Sequence, residues 1–157
     1  MDLIDRLREL SQRAADQIEY LETEEATKNA LVMPFMSALG YDVFNPLEVV
    51  PEFTADVGVK KGEKVDYAIK LDGHVTLLIE CKKSRGDLSI EHASQLFRYF
   101  SATDARFAIL TNGIVYKFYS DIDAPNRMDS KPFFTFNLLR FQDHQAEQVK
   151  KFSKSTF

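Results

Sequence analysis

Asp66, Glu80 and Lys82 are the residues whose types and spacing could do chemistry together. They lie in two runs, Val65-Asp66-Tyr67-Ala68-Ile69-Lys70-Leu71 and Val75-Thr76-Leu77-Leu78-Ile79-Glu80-Cys81-Lys82, separated by Asp72-Gly73-His74. The odd-numbered positions of both runs are almost wholly apolar, whereas the even-numbered ones gather Asp66, Lys70, Thr76, Glu80 and Lys82. Alternation with period two marks a pair of strands, each with two unlike faces. A slip of one residue reverses every side chain, so both apolar sets share a face only if paired residue numbers sum to an even value. A two-residue turn fails that condition. A three-residue connection through Asp72, Gly73 and His74 meets it, pairs Leu71 with Val75, and so sets Asp66 opposite Glu80.

Directly opposed side chains on antiparallel strands have Cβ atoms about 5 Å apart, and two like charges there repel. A cation between them removes the repulsion. Oxygen-only ligands select a hard ion such as Mg²⁺, for which Mn²⁺ can substitute, and such an ion keeps several waters and can share a substrate phosphate. It lowers the pKa of a bound water and offsets charge on a pentacovalent phosphorus, while a lysine two residues along the same face steadies the attacking water or a phosphate oxygen. The chemistry to expect is hydrolysis of a phosphodiester.

The elements that must position this group follow from periodicity. Residues 2 to 22 carry Leu3, Leu7, Leu10, Ala14, Ile18 and Leu21 at three- and four-residue steps, an amphipathic helix whose apolar stripe must be covered by something. Thr23 caps a second helix over about 24 to 39, kinked at Pro34 and ended by Gly40. A short strand over 49 to 53 precedes the pair at 65 to 71 and 75 to 82. A helix over 89 to 102 shows Ile90, Ala93, Phe97 and Phe100 on one side. Strands at 106 to 111 and 114 to 119 are joined through Asn112-Gly113, the strongest short hairpin signal in the chain. A strand near 133 to 138 and a short polar helix near 141 to 152 complete it. The fold class is α/β, with an α+β mixed sheet, and no repeat or linker divides the 157 residues, so one domain is expected over 1–157.

With 45% hydrophobic residues, 13 of them Phe, the chain can build a core, which excludes a disordered segment. Met1-Asp2-Leu3-Ile4-Asp5-Arg6 is too acidic for a signal peptide, and no run approaches a membrane span, so a cytoplasmic protein with no membrane contact is expected. The single cysteine, Cys81, alternates toward the apolar face, where burial is expected. No glycine-rich phosphate cradle is present. A net charge of −4 does not advertise a nucleic-acid binder, but it is uneven. Residues 1 to 25 hold eight acids against three arginines, and over 58 to 85 seven bases outnumber four acids.

At these residues the sequence resembles the PD-(D/E)XK nuclease superfamily, and more closely the nuclease domain at the N-terminus of type I restriction enzyme R subunits. The likeness is carried by Asp66, by Glu80-Cys81-Lys82 after thirteen intervening residues, and by the helix containing Gln95-Leu96-Phe97-Arg98-Tyr99. Glu24-Glu25-Ala26-Thr27-Lys28, Leu39-Gly40-Tyr41 and Ala108-Ile109-Leu110-Thr111-Asn112-Gly113 add to it. The resemblance covers about residues 20 to 140. It implies a restriction-endonuclease-like core over 23–140, helix-strand-strand-strand-helix-strand, behind an N-terminal helix over 1–22 and followed by extra C-terminal strands. It implies that Asp66, Glu80 and the main-chain carbonyl of Cys81 hold the metal, and that Lys82 assists catalysis. Glu24 from the preceding helix completes the site better than Glu25, and Gln95 and Tyr99 form a QxxxY motif toward DNA, with His92 on the same stripe. The activity implied is a Mg²⁺-dependent endodeoxyribonuclease of restriction-modification or related defence or repair type.

Simpler readings stand beside these. Alternating charges on a solvated strand face would give the same D-x(n)-E-x-K match. Acids at 24 and 25 are favoured by the helix dipole whatever their role. Lys60, Lys61 and Lys64 are either a solvated loop or DNA phosphate contacts just before Asp66. The alternative to an enzyme is a non-catalytic DNA-binding or assembly module that keeps the fold, and RNA shares the same phosphate chemistry. The resemblance implies DNA as the partner; the acidic first helix, with its stripe to cover, argues further for a homodimer or for separate motor and specificity subunits.

Overall fold

The computed structural model describes residues 2–55, 63–90 and 93–157. Helix α1 (Leu3–Gln17) opens at Asp2, whose side chain accepts the Asp5 amide hydrogen bond at 2.9 Å, and runs into a 3-10 turn at Ile18–Tyr20. Its stripe of Leu7, Leu10 and Ala14 is buried. The cover comes from helices of the same chain, α3 (Met33–Ala38) and α5 (Asp143–Lys150). The stripe is thus covered within the chain and carries no argument of its own for a second copy or another subunit.

Thr23 caps the second helix through a 3.0 Å bond from the Ala26 amide. This helix has three parts: α2 (Glu24–Thr27), a π-helical turn (Lys28–Val32), and α3. The distortion expected at Pro34 takes the form of that π turn. Pro34 has no amide hydrogen for the carbonyl four residues back, and its ring crowds that carbonyl; widening the helix just before it relieves both.

Six strands form one mixed sheet in chain order: β1 (Val49–Phe53), β2 (Val65–Leu71), β3 (His74–Cys81), β4 (Phe107–Thr111), β5 (Val115–Tyr119) and β6 (Phe134–Asn137). Among the described residues only β3 and β4 pair in parallel. A parallel pair needs a crossover, and α4 (Ser94–Ala102) lies within it. Among the described residues that helix starts at Ser94, later than the periodicity over 89 to 102 suggests, and His92 lies outside them. The second hairpin turns at the expected place, but its central residues are Gly113 and Ile114. Asn112 sits one step earlier and its side-chain oxygen accepts the Ile114 and Val115 amides at 3.1 and 2.9 Å.

The β2–β3 connection differs from the one expected. Leu71 pairs with His74, leaving a two-residue turn in which Asp72 (φ 52°) and Gly73 (φ 80°) are both left-handed, as in a type I′ turn. That turn alone would put the apolar sets of β2 and β3 on opposite faces. A bulge repairs the register: Lys70 pairs with Val75 but Ile69 pairs with Leu77, so Thr76 is the extra residue. From Ile69 to Tyr67 the partners then sum as the parity argument requires, with Tyr67 opposite Ile79. Val75, on the turn side of the bulge, faces the other way from Leu77.

Both faces of the sheet are covered. Tyr67, Ile69, Leu77, Ile79, Cys81, Ile109, Tyr116 and Phe118 pack with α1, the second helix and α5. On the other face Ala68, Leu78, Ala108 and Leu110 pack with Leu96, Tyr99 and Phe100 of α4. On the even-numbered face Asp66 and Glu80 thus lie at the end where β2 starts and β3 finishes, beyond the apolar stretch of Ala68 and Leu78, with Lys70 at the turn end. No described helix is long and apolar enough to cross a membrane.

Candidate active site

Continuing the ladder one step beyond Tyr67 and Ile79 brings Asp66 to Glu80, and the two carboxyl groups lie within hydrogen-bonding reach. The strands brace the pair from one side: the Cys81 amide donates to Asp66 Oδ2 at 2.7 Å. Two side chains from opposite layers complete the setting. Lys28 Nζ, from the π turn, is 2.8 Å from Asp66 Oδ1, and Gln95 Nε2, from α4, is 3.3 Å from Glu80 Oε2.

Glu80 is buried, at 4% exposure. Burial first, and the neighbouring Asp66 second, push its carboxyl well above the ordinary range. Lys82, two residues along the chain, pulls the other way. For Asp66 burial also works against the charge, but hydrogen bonds from Glu80, Lys28 and the Cys81 amide together hold its carboxyl below the ordinary value. Burial and mutual repulsion thus oppose ionisation of both groups at once, Glu80 being pushed up and Asp66 held down. Lys28 is its counterpart: burial disfavours the ammonium, and bonds to Asp66 and Glu25 outweigh that and hold it charged.

Lys82 is half-buried beside Glu80, and its amide donates to the Thr111 carbonyl at 2.8 Å, continuing the parallel pairing of β3 with β4. The peptide at Cys81 is thus fixed on both sides. The Cys81 side chain is buried in the larger core, and burial pushes its thiol up, away from nucleophilic use. The loop beyond is tied back to the second helix, because the Ser84 amide donates to the buried Thr27 hydroxyl at 3.0 Å.

The remaining residues named from sequence fall in different places. Gln95 joins the site. Its neighbour in the QxxxY motif does not: Tyr99 is fully buried, and its hydroxyl donates to the Glu63 carbonyl at 2.5 Å. A side chain so placed ties α4 to the entry of β2 and has no exposed surface. Glu24 is exposed in the first turn of α2, whereas Glu25 bonds Lys28 at 3.0 Å and so reaches Asp66 through it. Lys64 is half-exposed; its amide meets Gln95 Oε1 at 3.4 Å and its ammonium meets Glu52 at 3.5 Å. Lys60 and Lys61 lie outside the described residues. Sequence reasoning passed over Lys28 as a site residue. It stood in the Glu24–Lys28 stretch, but its direction depends on a π turn that no side-chain pattern announces.

Residues 45–127 match the model of the family described as type I restriction enzyme R protein N terminus, more than half of the chain. The chain belongs to that family. The segment that defines this R protein N terminus contains Asp66, Glu80, Lys82, Gln95 and Tyr99, and leaves Glu24 and Lys28 outside it. Among solved structures it is similar to a chain of a cryoEM structure of a DrdV-DNA complex, with a TM-score of 0.61 and 14% identity over 98% of this chain. That similarity shows a shared fold, and this R-protein domain spans 14% of the larger chain. No curated protein matches it.

The residues present fit a divalent ion. Two carboxyl groups stand side by side, and an ammonium sits on one of them, so positive charge already stands where a hard cation would bind. Among the described residues no three His, Cys, Asp or Glu side chains converge as a ready-made cage.

Proposed function

We propose that the chain is a nuclease domain of restriction type that hydrolyses phosphodiesters of DNA with Mg²⁺, for which Mn²⁺ can substitute. The observation that carries this reading is the meeting of Asp66 and Glu80 across adjacent strands, with Lys82 next to them. DNA as the substrate is supported by the restriction-enzyme family and by the similarly folded protein, whose structure was solved as a DNA complex. Asp66, Glu80 and the Cys81 carbonyl would hold the ion, which when bound supplies Lewis-acid activation of water and offsets charge developing on the phosphate.

The protein's own groups do the rest. The Cys81 amide keeps Asp66 aimed, and Lys28 keeps it ionised while the site is empty. Glu80 must release its proton for the site to load, so loading competes with protons. The Gln95 carboxamide holds Glu80 Oε2 in place meanwhile. The Lys82 amine steadies the attacking water or a non-bridging phosphate oxygen, and Lys60, Lys61 and Lys64 take neighbouring phosphates.

The test is incubation of the protein with DNA and Mg²⁺ or Mn²⁺, with and without chelator, beside Lys82→Ala. Cleavage that needs the metal and drops by about 100-fold or more in the variant is expected. Equal cutting by both proteins would remove Lys82 from the mechanism, and binding of DNA without any cutting would make the domain a non-catalytic module.

A further inference from the structure

Lys28 touches the carboxylate pair from outside the strands that define the site, and no sequence pattern assigned it a role. Its ammonium bridges two acids, 2.8 Å from Asp66 Oδ1 and 3.0 Å from Glu25 Oε1. The Lys28 side chain is 13% exposed and that of Asp66 18%, whereas that of Glu25 is 74% exposed. One end of the bridge is therefore sheltered inside the site and the other is in solvent.

The architecture fixes this seat. Lys28 is the first residue of the π turn, and π turns inside α-helices gather at functional sites. The residues on either side dock tightly against the β4–β5 hairpin. A Cβ on Gly113 would come within 2.8 Å of Thr27 Cγ2 and 2.9 Å of Leu31 Cδ1, and Gly113 has a φ of +87°. Only glycine allows the helix so close. Thr27 in turn takes the Ser84 amide, locking the helix to the loop that follows Lys82. The ammonium reaches Asp66 from a braced backbone, not from a loose surface lysine.

We infer that Lys28 is a resident counter-cation of the metal site: it neutralises Asp66 while the site is empty and must be displaced toward Glu25 when a divalent ion binds. Two cations cannot share Asp66 Oδ1 without repulsion, and Glu25, already at bonding distance, is the perch that receives the ammonium. Lys28 is a positioning residue that sets how tightly the ion is held and keeps the acids from repelling each other before it arrives. This inference rests on the metal-dependent reading above.

Calorimetric titration of the whole chain with Mn²⁺, without DNA, tests it. Lys28→Met keeps the length of the side chain and removes the charge; it should bind Mn²⁺ more tightly than the wild type, by on the order of tenfold, the usual scale for groups around a metal's ligands. A lysine that only propped up Asp66 would do the reverse. Glu25→Gln lies in solvent and leaves the fold intact, so it keeps the test decisive if Lys28→Met folds poorly. Loss of the perch should weaken Mn²⁺ binding several-fold, and the double variant should match Lys28→Met alone. Unchanged or weaker binding by Lys28→Met, or no change in Glu25→Gln, overturns the counter-cation role while leaving the nuclease reading standing. Absence of Mn²⁺ binding in the wild type and every variant overturns both.

Discussion

The two ends of β4 are stabilised by opposite means. At its last residue, Thr111, β4 flanks the carboxylate pair, where nearly every contact is directional: an amide on Asp66, an ammonium on Asp66, a carboxamide on Glu80. At its first residue, Phe107, it enters a cluster of rings. Phe107 lies 5.2 Å from Phe152 and 5.6 Å from Phe157, and Phe118 lies 4.8 Å from Phe152 and 6.4 Å from Phe133, measured between centroids. The aromatic end is held by contact area and tolerates approximate geometry, because ring packing is broad in angle. The carboxylate end keeps a buried glutamate beside a half-buried aspartate, and the lysine paired with Asp66 offsets the repulsion between them. One end of the sheet supplies stability; the other spends some of it to hold a site ready.

Glu80→Gln should separate the two ends most sharply. A carboxamide has the shape of a protonated carboxyl, so the metal-free fold should melt close to the wild type while metal binding and cleavage fall by about 100-fold or more. The pH dependence carries the sign. Glu80 has a folded-state pKa raised above its unfolded value, so its contribution to stability is fully present below the ordinary glutamate range. It is lost as pH rises through neutrality toward the folded-state value. Melts in chelator between pH 5 and 8 should decline with pH in the wild type and less steeply in Glu80→Gln. Equal slopes would mean that Glu80 is not the group whose folded-state pKa is raised.

At the aromatic end Phe118→Ala should do the opposite. Phe118 is fully buried amid Phe133, Phe134 and Phe152, and its removal should cost about 3–5 kcal/mol in chemical denaturation. Metal affinity at temperatures where the variant is folded should not change. Loss of metal binding in a folded Phe118→Ala protein would show that the two ends are coupled through β4 and β5.

How much was legible in the sequence follows the same division. Periodicity located the strands and helices, because a face that is buried must be apolar at the period of its element. Asp66 opposite Glu80 was also legible, since parity constrains register whatever the turn does. The turn was not: a type I′ turn plus a bulge at Thr76 gives the same parity as a three-residue loop, and the alternation of residues cannot tell them apart. Lys28 was hidden for a related reason. Helical spacing assumes 3.6 residues per turn, and a π turn redirects a side chain without altering composition. Tyr99 misled in the other direction, because a motif gives the residue's neighbour on the helix but not which of the two lies under the sheet.

Tyr99→Phe is the smallest perturbation and the one that decides what that motif does. In the structure the phenol spans from α4 to the Glu63 carbonyl, three residues before Asp66, while the adjacent Arg98 pairs with the Glu63 carboxylate. Removing the hydroxyl takes one hydrogen bond from the Glu63 carbonyl and should cost about 1 kcal/mol, a fall of about 2–4 °C in melting temperature for a domain of this size. DNA affinity should stay within about twofold of the wild type, since a fully buried ring has no surface to offer a base or a phosphate. Cleavage should drop modestly, through looser placement of Asp66, because the Glu63 anchor lies directly ahead of β2. A DNA affinity several-fold weaker with an unchanged melt would instead return Tyr99 to the DNA-contacting role that the QxxxY spacing suggests, and would require α4 to move when DNA binds.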